Sequence, residues 1–182
     1  LALVLLAAGL PVTKARAGTD TFEPVRPPVI SAPGSDARAY WIEFLAMANA
    51  NFGHSLVVLG YVDSAGVPHR SVVAGFLPKG HDDDLSSKYM LPVAGQIGVT
   101  RSDFVERPNA RLRFAISRSR YATLLLEIRR VMLGWTTYWL PARNCNSFVG
   151  MMAEAMGLSV PVVSAMPPVE YVRALGELNR TR

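Results

Sequence analysis

"GHSLVVLGYVDSAGVPHRSVVAGFLP", residues 53–78, is two β-branched apolar runs separated by "DSAGVP", a Gly- and Pro-containing turn. Branched side chains are stiff about χ1 and pack well on a pleated surface, so the stretch reads as a β-hairpin. His54 opens the first strand and His69 stands at the start of the second, two of the three histidines in the chain. An antiparallel sheet is therefore expected at the centre of the fold.

Outward from the hairpin, the spacing of Tyr40, Trp41, Phe44, Leu45 and Ala48 behind Ser35 fits a helical stripe with a capping residue, ending near Asn51 to Gly53. On the other side, "KGHDDDLSSK" (79–88) is polar and reads as a loop, and residues 91–99 read as a further short strand. "ARLRFAIS" alternates Leu112, Phe114 and Ile116 with Arg111, Arg113 and Ala115, the pattern of a strand with one wet face. From Ser119, the positions of Tyr121, Leu124, Leu125, Ile128, Val131 and Met132 predict an amphipathic helix stopped at Gly134. "WTTYWLPAR" follows as an irregular or extended segment, and a last helix is expected near 168–178, opening on a proline that a first turn tolerates.

The chain has 182 residues, about half of them apolar and few charged, which suits one globular domain with a sizeable core. "LALVLLAAGLPVTKARAG" joins an apolar run to Ala15-Arg16-Ala17, the small-residue pattern read by a signal peptidase, so residues 1–17 read as a signal peptide whose start lies upstream. A Pro- and Gly-rich leader is expected over 18–34 and the domain over 35–182, in a periplasmic or secreted protein. Removing Lys14 and Arg16 from a formal charge of +5 leaves +3, too modest to indicate nucleic acid. The apolar run is shorter than the roughly 20 residues a membrane span needs, so no transmembrane span is expected in the mature chain. No zinc motif, phosphate loop or serine-nucleophile elbow is present and no cofactor is implied. The acidic run His81 to Asp84 reads as a solvated loop.

The only cysteine lies in "ARNCNSFVGMMAEAMGLSVP", residues 142–161, where Phe148, Val149, Met152, Ala155 and Met156 repeat at helical spacing before Gly157 and Pro161 end the run. Cys145 thus falls in the first turn. A helix N-terminus offers about half a positive charge and unsatisfied N–H groups, which favour a thiolate and can hold an oxyanion. Exported cysteines usually come in pairs, this one has none, and it is flanked by Asn144 and Asn146. The alternative is a small apolar residue under a helix. As a nucleophile, Cys145 requires a base, and His54 and His69 are the candidates.

"NCNSFVGMMAEAMGL" resembles the cysteine-helix motif of the circularly permuted papain-like families, the lecithin:retinol acyltransferase-like proteins and the PPPDE peptidases. These carry Asn-Cys-(Asn or Glu)-x-Phe at the head of a helix. "GHSLVVLGYV" looks like their histidine strand, and here as in them His precedes Cys, the reverse of papain and the NlpC-type peptidases. The resemblance covers about residues 52–158. It implies an α+β fold of the permuted papain-like (NlpC-type) class, with an antiparallel sheet against helices. It also implies a cysteine hydrolase or acyltransferase, which in a protein exported as residues 1–17 suggest would act on a cell-wall peptide or a lipid acyl group. Cys145 corresponds to the nucleophile, His54 to the base, and Asn144 with the Cys145 amide to the support of cap and oxyanion. His69 corresponds to an orienting residue, with Ser71, Gln96 or a simple dyad as alternatives. A non-catalytic envelope binding domain retaining the fold is the rival reading.

Overall fold

The computed structural model describes residues 25–48, 53–79, 91–162 and 165–181. The segment read as a signal peptide, most of the stretch read as a leader, and His81 to Asp84 lie outside them. The described chain is α+β, with a seven-stranded antiparallel sheet and four helices. In chain order these are β1 (Val29–Ile30), β2 (Ala39–Met47), β3 (His54–Val62), β4 (Pro68–Pro78), β5 (Val93–Gly98), α1 (Ser102–Val105), β6 (Ala110–Ile116), α2 (Arg118–Gly134), β7 (Thr137–Tyr138), α3 (Cys145–Ala155) and α4 (Pro168–Leu178). The sheet runs β6-β2-β3-β4-β5-β7, with β1 on the stretch of β4 that β5 leaves free.

β2 overturns the helix expected behind Ser35. Trp41 to Met47 are all buried, with Ile42, Phe44 and Ala46 on one face of the sheet and Trp41, Leu45 and Met47 on the other. A strand covered on both faces shows no alternation, so a continuous apolar run does not separate it from a helix by period. The pairing decides: β2 runs the full length of β3, from Ala39↔Val62 to Met47↔His54, and its other edge pairs β6. The ordered fold also begins before Ser35, because Val29 and Ile30 pair with Val73 and Val72.

The helices pack on one face. Leu124 and Ile128 of α2, Phe148 and Met152 of α3 and Tyr171 and Leu175 of α4 close over Phe44, Val57, Leu59, Ala74 and Phe76. The opposite face carries a smaller cluster around Trp41, Leu45, Leu56 and Val58. β6 is an edge strand and alternates as its sequence does. Arg111 and Arg113 reach over to Glu43, a fully buried carboxylate of β2, at 2.9 and 3.0 Å.

Two connections place the functional residues. The hairpin turns at Ala65-Gly66, where Asp63 accepts from the amides of Ala65 and Val67 at 2.9 and 2.8 Å. The chain from β5 to β6 crosses between opposite borders of the sheet through α1. It rejoins where Asn109 N–H donates to the Ala46 carbonyl and the Asn109 side chain accepts from Ala48 N–H. Among the described residues no helix is long and apolar enough to cross a membrane.

Candidate active site

α3 starts at Cys145 because Asn144 stops the chain from being helical any earlier. Asn144 has extended backbone geometry, its side chain accepts from Ser147 N–H at 3.0 Å, and Ser147 Oγ accepts from Asn144 N–H at 3.1 Å. This reciprocal capping box satisfies amides that the first turn leaves without helical partners. The Asn144 amide group also donates to the Leu140 carbonyl at 2.6 Å, tying down the incoming loop. Cys145 is therefore held in the first turn, at the positive end of the helix dipole, and is buried.

His54 is the first residue of β3, directly after Gly53, whose φ of 76° is in the left-handed region and whose added Cβ would strike the Met47 carbonyl oxygen. The His54 ring lies over Gly75 of β4, where a Cβ would come to 2.4 Å from Nε2. A hydrogen bond joins the ring to the Cys145 sulfur. Nε2 has no hydrogen-bond partner, so the nitrogen facing the sulfur is Nδ1.

The neighbouring residues fix this pairing. Ser55 Oγ donates to Asn146 Oδ1 at 2.8 Å, and Asn146 Nδ2 donates to the Met166 carbonyl at 2.8 Å. One buried amide thus bolts the residue after Cys145 to the residue after His54, and both to the segment leading into α4. Ser55 was not a candidate from the sequence; a serine within an apolar strand, next to the histidine, was the available clue.

Burial is the largest influence on Cys145 and disfavours its thiolate. The hydrogen bond and charge of His54, with the hydroxyl and amide of Ser55, outweigh it and hold the thiol below its ordinary value. Burial likewise disfavours the His54 imidazolium, but the Cys145 hydrogen bond and the charges of Asp103 and Cys145 prevail and raise the imidazole above its usual value. The two directions act in the same sense, each favouring the charged form of its group. Tyr138 of β7 is a buried aromatic against Phe76, kept neutral by burial and by the charge of Cys145.

The other histidine is elsewhere. His69 pairs with Tyr61, seven residues up β3 from His54, so about 23 Å of strand separates the two histidines. It stacks on Tyr61 with ring centroids 4.9 Å apart and bonds the Asp63 carboxylate at 2.7 Å, serving the hairpin turn. The turn is tight, and a tight turn sends residues on either side of it to the end of the ladder remote from His54. Ser71 is buried beneath α2, bonded to Tyr121 Oη at 2.7 Å and to the Leu59 carbonyl. Gln96 pairs with Leu77 and gives no hydrogen bond to His54 Nε2. The structure thus brings together Cys145, His54 and Asn144, and does not bring His69 to them. Among the described residues no three His, Cys, Asp or Glu side chains gather in a metal-binding group.

No protein-family model, curated protein or solved structure matches this chain.

Proposed function

We propose that the chain is a cysteine hydrolase or acyltransferase of permuted papain-like architecture, exported to the periplasm or beyond, acting on an amide or ester bond of a cell-wall peptide or a lipid acyl group. One observation carries the reading: a single thiol at a capped helix start is hydrogen-bonded to a buried imidazole that stabilises its thiolate against the cost of burial.

The chemistry needs few groups. The Cys145 thiolate attacks the carbonyl carbon, and the oxyanion forms beside the Cys145 amide at the helix start. As the tetrahedral species collapses, the bond to the leaving amine or alcohol breaks and the His54 imidazolium gives it a proton, leaving a thioester and neutral imidazole. Water or a second acceptor then adds to the thioester while His54 takes its proton. Breakage of the C–S bond releases the acyl product and restores the ion pair.

The test is acylation by activated acyl esters and acyl amides, with the adduct mapped by peptide mass. The expected result is a thioester on Cys145 that turns over in the wild type and is absent in Cys145→Ala. In His54→Ala the thiol should titrate above an ordinary cysteine, because burial then goes unopposed by the imidazole, and acylation near neutral pH should fall by at least about tenfold. Equal acylation and an unchanged thiol titration in His54→Ala would refute the reading.

The depth of the pair favours a second reading, a non-catalytic envelope binding domain that keeps the fold. Cys145 is 5% and His54 8% exposed. On that reading Cys145 stays unacylated by every ester and amide.

A further inference from the structure

Four buried side-chain atoms among the described residues lack a hydrogen-bond partner: Trp41 Nε1, Glu43 Oε2, His54 Nε2 and Asp103 Oδ1. The first two sit beneath the Arg113 guanidinium, which lies 4.1 Å over the Trp41 ring and bonds Glu43. The other two are a ring nitrogen and a carboxylate oxygen, a donor and an acceptor that lack the partner each could give the other.

The fold brings them to the same region. Gly98, the last residue of β5, pairs with Gly75, over which the His54 ring lies. Immediately after β5 the chain enters α1, and it rejoins the sheet where Asn109 bonds the carbonyl of Ala46, whose partner on β3 is Ser55. The crossing that carries Asp103 is thus pinned beside Gly75 at one end and beside Ser55 at the other, so it spans the end of β3 that bears His54. Asp103 is 4% exposed. Its Oδ2 accepts from Thr100 N–H at 2.7 Å, which closes the turn into α1 and leaves Oδ1 without a partner.

We propose that Asp103 is a positioning residue for the Cys145–His54 pair: Oδ1 and Nε2 do not bond each other in this structure, and in the working site Oδ1 accepts the Nε2–H of His54 so that Nδ1 is presented to the sulfur. This rests on the Cys–His reading above and supplies the third member that His69, Ser71 and Gln96 do not. A carboxylate behind the imidazole selects the useful tautomer and stabilises the imidazolium through each proton transfer. Its charge already acts on the ring, second to Cys145 among the influences that raise it. Besides the pair's own two members, the titratable groups that act on it are Asp103 of α1 on His54, and Tyr138 of β7 and Tyr171 of α4 on Cys145; both tyrosines are kept protonated, chiefly by burial.

The experiment titrates the thiolate by its ultraviolet absorbance, which reports one group because the chain has a single cysteine. Asp103→Asn keeps a side-chain oxygen for Thr100 N–H and removes only the charge and the second carboxylate oxygen. The expected result is a rise in the Cys145 midpoint of about one pH unit, a tenfold loss of thiolate on the rising limb, with Asp103→Glu restoring part of it. An unchanged midpoint in folded Asp103→Asn assigns Asp103 to the turn alone and overturns the proposal. Should Asp103→Asn fail to fold, ring ¹H–¹⁵N spectra of the wild type decide: a His54 Nε2–H shifted strongly downfield, as a bond to a carboxylate shifts it, upholds the proposal, and an Nε2–H without that shift refutes it. A wild-type thiol titrating as free cysteine sinks the Cys–His reading itself, an outcome distinct from either.

Discussion

A methyl group is the smallest change that tests the residue-scale geometry. Gly75 leaves room for the His54 ring, and the Cβ of Gly75→Ala would come within 2.4 Å of Nε2 and 2.7 Å of Cε1, distances that force the ring to move. The neighbour that must yield is a side chain, so the expected cost in stability is only about 1–3 kcal/mol, as for other overpacked sites. The Cys145–His54 hydrogen bond should suffer more. The thiol midpoint in Gly75→Ala is expected to rise toward that of His54→Ala while the variant still unfolds in one transition. A midpoint equal to the wild type would show that the ring does not occupy the place of the missing Cβ. At this scale the sequence was legible where chemistry and local pattern coincide: Cys145 begins a helical period, and His54 begins a β-branched run. Asp103 carries no such mark. Nothing local distinguishes it from any acidic residue in a first turn, because its relation to His54 is created by a crossover between strands far apart in the chain.

Elements carry the next level of control, since α3 both packs on the sheet and holds the Cys145 thiol in its first turn. Asn144 separates these roles. Asn144→Ala removes the acceptor for Ser147 N–H and the donor to Leu140, and should lower stability by about 0.5–2 kcal/mol, measured by denaturant unfolding. Asn144→Asp keeps the cap acceptor but places a negative charge next to Cys145, so it should retain more stability than Asn144→Ala while raising the thiol midpoint. A thiol midpoint left unmoved by the aspartate would mean that the charge environment of Cys145 is set elsewhere. The elements most legible in the sequence were those with one dry face. α2 and α3 showed helical period, α4 showed a proline suited to a first turn, and β6 showed Leu112, Phe114 and Ile116 alternating with Arg111, Arg113 and Ala115. β2 was misread because the sheet buries it from both sides. The hairpin was legible but the tightness of its turn was not settled, and with it the place of His69: the tight turn at Ala65-Gly66 puts His69 opposite Tyr61, bonded to Asp63 and far from His54.

For the whole molecule, the pair links folding to pH in a way that its two members make distinguishable. His54 is raised in the fold, so its contribution is fully present below its unfolded value of about 6.5 and is lost as pH climbs through the folded value. Cys145 is lowered, so its contribution is present above its unfolded value of about 8.5 and is lost as pH falls through the folded value. Proton counting joins the two statements. Between those unfolded values the native pair and the unfolded chain each hold one proton across the two groups, so stability from this source is flat. Below about 6.5 the unfolded chain gains a second proton, so stability declines with falling pH; above about 8.5 it holds none while the native imidazolium keeps one, so stability declines with rising pH, each limb having a slope of about 1.4 kcal/mol per pH unit. Cys145→Ser abolishes the alkaline limb only, because a serine does not ionise there and the lone His54 is buried neutral in the fold. The acid limb survives, since the unfolded chain still protonates that histidine. Denaturant midpoints of the wild type and Cys145→Ser across pH 5 to 10 should therefore run in parallel on the acid side and diverge above about pH 8.5. Parallel curves throughout would mean that the folded site gives up its proton where an unfolded cysteine does, so that the buried imidazole does not hold a proton for the Cys145 thiolate.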